Sequence, residues 1–222
     1  MKRRPEPELM DSEAQTLAYS EADFDEANSL FERHFTERFK RLPASGRMAD
    51  LGCGPGDIVV RMAKAYPGWS VTGLDAGENM LKRANERLNT EDLQSRVDFR
   101  LAYLPDNTLK SRAWNAIISN SLLHHLPDPQ VLWKSIAWMG APGVTVQVMD
   151  LMRPESKQDA QRLVDLYAAD APEILREDFY NSLLAAYTPV EVSDQLLKAG
   201  LDRLKINTAS DRHWIVSGVL EH

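Results

Sequence analysis

Ala49-Asp50-Leu51-Gly52-Cys53-Gly54-Pro55-Gly56-Asp57 constrains this chain more than any other stretch. An apolar run enters it, a helical pattern leaves it, and its three glycines stand two apart. Glycine has no Cβ, so the backbone can turn sharply and let a ligand lie against it. A glycine-rich turn between strand and helix is how nucleotide-binding sheets hold a ligand at their carboxyl edge. Asp75, 19 residues after Gly56, closes the next apolar run, Val71-Thr72-Gly73-Leu74. A carboxylate at that strand tip can accept hydrogen bonds from ribose hydroxyls. The glycine spacing then separates two ligands. A dinucleotide fingerprint reads G-x-G-x-x-G and faces a pyrophosphate with a helix N-terminus. Here the spacing is G-x-G-x-G, with Asp50 before the first glycine and Asp57 after the last. Flanking carboxylates repel a pyrophosphate and suit a ligand with an amino group and a cationic centre. A nicotinamide dehydrogenase therefore fits least.

At these residues the chain resembles the class I S-adenosylmethionine (SAM)-dependent methyltransferases of small-molecule type. Asp50 to Gly56 is similar to their first motif and Gly73-Leu74-Asp75 to their second. Ser119-Asn120-Ser121-Leu122-Leu123-His124-His125-Leu126-Pro127-Asp128-Pro129 resembles their fourth. The resemblance implies an α/β fold with a Rossmann-like, doubly wound, seven-stranded sheet. That sheet is mostly parallel with an antiparallel C-terminal hairpin, N-terminal helices and a helical insertion after strand five. It implies SAM as cofactor and S-adenosylhomocysteine as product. The cofactor would lie against Asp50, Gly52, Cys53, Gly54, Gly56, Asp75 and Ala76, with Asn120 beside its methionine part. After the third strand the family often carries an acidic residue that accepts from the adenine amino group. Ala102-Tyr103 stands there instead. Adenine would then be read by backbone groups and by packing on Met80, Ala102 and Tyr103, although Met80 also suits a plain core position.

With 222 residues the chain is long enough for one α/β domain with a sizeable core. We read that domain over 1–219, with a helical lid over 1–44 and a SAM-binding core over 45–150. A substrate-side helical insertion covers 151–188, and a terminal helix and hairpin cover 189–219. Leu220-Glu221-His222 resembles a truncated affinity-tag scar. The net charge of −7 argues against a large nucleic-acid surface. No stretch approaches the ~20 apolar residues of a membrane span. The single cysteine, Cys53, allows no internal disulfide and fits a reducing cytoplasm. In the glycine loop it reads as a small residue packed beside the ligand, with a reactive thiol as the alternative.

Apolar spacing and turn residues predict the elements in order. Residues 1–12 read as loose. One or two helices run from about Asp23 to before Pro43, preceded by Tyr19 and Phe24, which are lid candidates or core staples. Strands are expected at Arg47–Gly52, Trp69–Asp75, Val97–Leu101, Trp114–Ile118 and Val144–Met149. Helices are expected at Asp57–Ala65, Gly77–Leu88 and from Asp128 or Pro129 to about Trp138, the last closed by Gly140-Ala141-Pro142-Gly143. Residues 151–188 break the alternation, with helices around Lys157–Ala169 and Pro172–Ala186. Thr188 caps a helix that Pro189 opens and Gly200 closes. Leu201–Thr208 and His213–Val219 then form the final hairpin.

Methyl transfer from SAM is an in-line displacement, so alignment of the acceptor dominates and a general base is optional. His124 and His125 are the best base candidates, since imidazole titrates near neutral pH. The alternative is that they only position the loop. Asp150, Tyr180 and His213 are weaker candidates. Tyr19, Asp150, Arg176, Phe179 and Tyr180 are the expected acceptor contacts, with Arg176 alternatively pairing Glu173 or Glu177 on its own helix. No metal site is expected, because the two adjacent histidines lack ligand spacing with a carboxylate. The expected partner is a small-molecule acceptor. An RNA or protein methyltransferase, or a SAM-binding regulator or partner subunit that does not transfer, are the alternatives.

Overall fold

The computed structural model describes residues 1–6 and 11–221. Among these, seven strands form one sheet: β1 (Gly46–Leu51), β2 (Trp69–Asp75), β3 (Val97–Leu101), β4 (Trp114–Asn120), β5 (Gly140–Leu151), β6 (Lys205–Thr208) and β7 (His213–Leu220). Their order is β3-β2-β1-β4-β5-β7-β6. The first five are parallel, and β7 lies antiparallel between β5 and β6. The chain reverses its direction of winding between β1 and β4. Open α/β sheets bind ligands in the crevice that such a reversal leaves at the strand carboxyl ends.

Successive strand side chains alternate faces, and both faces are apolar. On one, Leu51, Ile117, Val146, Val148 and Trp214 pack against Trp133 and Ile136 of α5 (Gln130–Met139) and Val192 and Leu196 of α8 (Pro189–Lys198). On the other, Met48, Val71, Ile118 and Ile215 meet α2 (Asp25–Arg38), α3 (Asp57–Ala65) and α4 (Glu78–Asn89). A smaller cluster holds α6 (Lys157–Tyr167) and α7 (Glu173–Ala185) together beyond β5. α8 starts as its sequence requires. Thr188 and Glu191 form a reciprocal capping box, Pro189 opens the first turn, and Gly200 follows with φ +72°. No helix of the described residues is long and apolar enough to cross a membrane.

Four expectations are corrected. The Gly140–Gly143 stretch does not end α5 as a turn, because Gly140 already pairs with Trp114. Gly143 takes φ +78°, and the register slips between Trp114 and Ala116, which admits the extra residues. β6 begins at Lys205 rather than Leu201, since Leu201 and Leu204 turn inward and are buried. β7 runs through Leu220, which pairs with Val144 and is buried, so the strand extends one residue past the expected Val219; His222 lies outside the described residues. The N-terminal stretch is not loose where described. α1 (Glu13–Glu21) is capped by Ser12. The Arg4 amide donates to the Leu184 carbonyl at 2.9 Å, and the Arg3 guanidinium lies 4.1 Å over the Tyr187 ring.

Candidate active site

The site begins at the β1–β4 crevice. Gly54 takes φ +52°, where a side chain is strained, and the space a Cβ would enter is open. The loop there presents bare backbone to a cavity of about 920 Å³. Asp75 ends β2 and accepts from the Gly54 and Gly77 amides, each at 2.8 Å. Burial pushes its pKa up, against the pull of those two amides. Asp11 reaches across from the N-terminal segment to accept from the Asn79 and Met80 amides at 2.9 and 3.3 Å. It thereby closes the exposed first turn of α4, beside Asp75.

Asp50 and Asn120 end β1 and β4 on the two sides of the crevice. Both line the cavity, and each has a buried side-chain oxygen without a partner. Burial, with Asp75 nearby, pushes the Asp50 pKa well up. Orphaned acceptors at this depth are costly. A cationic amino group placed between them would satisfy both. The residues present therefore fit SAM: Asp50 and Asn120 would take its amino end, Gly52 to Gly54 its body, Asp75 its ribose, and Met80, Ala102 and Tyr103, which also line the cavity, its adenine. Cys53 and Ala76 also line the cavity. Burial first, then Asp75 and Asp50, push the Cys53 thiol up, so it is a packed neutral thiol. Gly56 does not line the cavity. It precedes α3 at φ +84°, and a Cβ there would stand 2.7 Å from Phe99. Its requirement is the packing of α3 onto β3.

The far end of the cavity is built by α1, α7, the β6–β7 turn and the 3₁₀ turn Leu123–His125. Tyr19 and Phe24 stack with ring centroids 4.6 Å apart and cover it from the N-terminal side. Phe179, Asp178 and Ser182 of α7 line it, as do Arg212 and His213. Burial, then Arg212, bring the His213 pKa down to about 4, so this imidazole is neutral at neutral pH.

Three expected acceptor contacts are corrected. Asp150 does not face the cavity. It is buried behind His124, with Oδ1 2.5 Å from Nδ1 and Oδ2 accepting from the His124 amide at 3.2 Å. Burial alone would lower the His124 pKa, but contact with Asp150 holds it above the usual value. Arg176 points away from the cavity and pairs with Asp165 at 3.3 Å rather than with Glu173 or Glu177. Tyr180 packs on the α6–α7 cluster. The histidine pair has no carboxylate at ligand spacing in the sequence, but the fold brings one from the N-terminal segment. Glu6 Oε1 lies 3.5 Å from His124 Nε2 and 3.3 Å from His125 Nδ1.

Sequence reasoning missed Glu6, Asp11, Asp178, Ser182 and Arg212. The first two sit in a proline-interrupted stretch without periodicity. Asp178 and Ser182 share a helix whose cavity-facing side is marked by no repeat.

Comparison with known proteins agrees with this geometry. Residues 49–146 match the family model described as a methyltransferase domain. The chain is 33% identical over 132 residues to trans-aconitate 2-methyltransferase of Variovorax paradoxus, covering 59% of this chain and 48% of that protein. It is 30% identical over 126 residues to 27-O-demethylrifamycin SV methyltransferase of Amycolatopsis mediterranei, covering 55% and 46%. The chain thus spans about half the length of these curated relatives. A SAM-dependent methyltransferase from Aquifex aeolicus superposes with TM-score 0.69 at 15% identity, covering 95% of this chain and 99% of that one. A methyltransferase structure from Methanococcus maripaludis gives 0.72 at 14%, covering 100% and 99%. At such identities the likeness shows the fold. A switch-point crevice with a glycine loop and an acidic second-strand tip defines a Rossmann-like nucleotide-binding protein. Within that class, residues 49–146 match a methyltransferase domain, and the chain is similar to SAM-dependent methyltransferases of the class I fold.

Proposed function

We propose that this chain transfers the methyl group of SAM to a small-molecule acceptor held between α7 and the 3₁₀ turn. One observation carries the reading. The cavity lined by Asp50 and Asn120, whose side-chain oxygens are orphaned, is lined also by Phe179 and Asp178 of α7 and by His125 of the 3₁₀ turn. A cofactor held by the glycine loop and the strand tips alone does not need lining from α7 and the histidine turn, which speaks against a SAM-binding regulator. Cover from Tyr19 and Phe24, together with the net charge of −7, favours a small acceptor over a nucleic acid. The curated relatives act on trans-aconitate and on a rifamycin, both small molecules.

When bound, SAM supplies an electrophilic methyl on a cationic sulfur. The protein supplies alignment and exclusion of water. Held geometry of this kind can lower a barrier by about 7–11 kcal/mol. Asp50 and Asn120 fix one end of the cofactor and Asp75 the other. Phe179 gives the acceptor an apolar wall, and the Tyr19–Phe24 pair limits water entry. Asp150 fixes the tautomer and orientation of His124, which makes the histidine turn a rigid boundary of the acceptor compartment.

The test separates the compartments. Phe179→Ala and Asp178→Asn are expected to leave S-adenosylhomocysteine affinity within about twofold. Both should lower methyl transfer at least fivefold on any acceptor found among small thiols, phenols, amines and carboxylic acids. Equal loss of cofactor affinity and transfer would place α7 in the cofactor pocket and refute the division.

A further inference from the structure

We infer that Glu6, His124 and His125 form a binding site for one divalent transition-metal ion at the acceptor end of the cavity. Their ligand atoms all lie within 4.8 Å of one another. The Glu6 Oε1 separations of 3.5 Å from His124 Nε2 and 3.3 Å from His125 Nδ1 exceed those of good hydrogen bonds. The His125 separation falls within, and the His124 separation just beyond, the spacing of neighbouring ligands on a shared ion, since atoms bound at about 2.1 Å in tetrahedral or octahedral arrangement stand about 3.0–3.4 Å apart. Two adjacent residues on a strand would point to opposite faces. On the 3₁₀ turn both imidazoles converge, with ring centroids 4.2 Å apart.

The surroundings have the form of a metal site. His124 Nδ1 meets the buried Asp150 carboxylate at 2.5 Å, and Nε2 faces Glu6 Oε1 at 3.5 Å, where it would give up its proton on binding an ion. A ligating imidazole almost always has its other nitrogen held by a carboxylate or carbonyl in this way. Glu6 is fixed in turn by the Ser182 hydroxyl, which donates to its two oxygens at 3.0 and 3.3 Å. The Asp150 and Asp178 carboxylates both bear on Glu6, against the opposing pull of His124, which a neutral, ligating imidazole would no longer supply. Arg3, whose guanidinium donates to the His124 carbonyl at 2.8 Å, offsets one of them. A divalent cation would balance the remainder. Two imidazoles and one carboxylate suit zinc, iron, cobalt or nickel better than magnesium or calcium, which prefer oxygen. His124, His125 and Ser182 line the cavity, so the open side of such an ion would face the acceptor compartment.

The test needs neither SAM nor an acceptor, so it stands apart from the proposed activity. The full chain is stripped with a chelator and titrated with Co(II), followed by visible absorption and by elemental analysis after desalting. One retained ion per chain with ligand-field bands is expected. Glu6→Gln and His125→Ala should each bind at least tenfold more weakly, with circular dichroism and thermal unfolding as the check on folding. X-ray absorption of the Co(II) form reads the ligands without any variant, and two imidazoles are expected. No retained ion, unchanged affinity in both folded variants, or a spectrum without imidazole would each overturn the site.

Discussion

Replacing Asp75 with alanine is expected to weaken S-adenosylhomocysteine binding about a hundredfold in calorimetry. A ribose held by this carboxylate makes two charge-assisted hydrogen bonds, each worth about 1.5–3 kcal/mol. Water recovers part of that loss, and each 1.4 kcal/mol is about tenfold in affinity. The substitution also removes the acceptor of the Gly54 and Gly77 amides, which loosens the two loops that shape the pocket. Asp75→Asn keeps one acceptor oxygen and should fall between, at roughly tenfold. Unchanged affinity in both variants would remove Asp75 from the cofactor site.

The second large effect is on stability and pH. His213 is buried on β7, and burial with Arg212 brings its folded pKa down to about 4. In the unfolded chain a histidine titrates near 6.5. As pH falls below about 6.5 the unfolded state takes up a proton that the folded state refuses. The stabilising effect of the neutral ring is thus full above about 6.5 and is lost as pH falls toward 4. At about 1.4 kcal/mol per unit, the loss between pH 6.5 and 5 is about 2 kcal/mol. Asp50 moves the other way, since its raised folded pKa favours the folded state in acid. The contribution of His213 is therefore isolated by a difference. In urea unfolding, the gap between wild type and His213→Gln should be about 2 kcal/mol smaller at pH 5 than at pH 7. A gap independent of pH would contradict the neutral buried ring.

What the sequence made legible was local. Glycine spacing, an acidic strand tip and alternating apolar runs are written in consecutive residues, so the crevice and the hairpin could be read directly. Asp50, Asp75 and Asn120 were legible because each ends a strand, and strand ends in a parallel sheet share one edge. The acceptor end was not legible in this way. Glu6 meets His124 from 118 positions away, and no periodicity announces a docked N-terminal segment. α1 was invisible because only Thr16 among its residues is buried. It is held instead by polar contacts such as Gln15 to Asp178 at 3.2 Å. Arg176 was attractive beside tyrosines, but the turn between α6 and α7 gave it Asp165 instead. Asp150 was placed on the right edge, yet its burial behind His124 depends on the 3₁₀ turn folding over it.

The most direct measurement of the central claim is one calorimetric experiment with two ligands. S-adenosylhomocysteine and NAD are titrated into the same preparation of the full chain. Asp57 is paired with Arg87 at 3.0 Å, so it is the orphaned oxygens of Asp50 and Asn120 that call for a ligand with an amino group. Single-site binding of S-adenosylhomocysteine and no measurable heat of binding for NAD are expected. Micromolar NAD binding with no response to S-adenosylhomocysteine would contradict it.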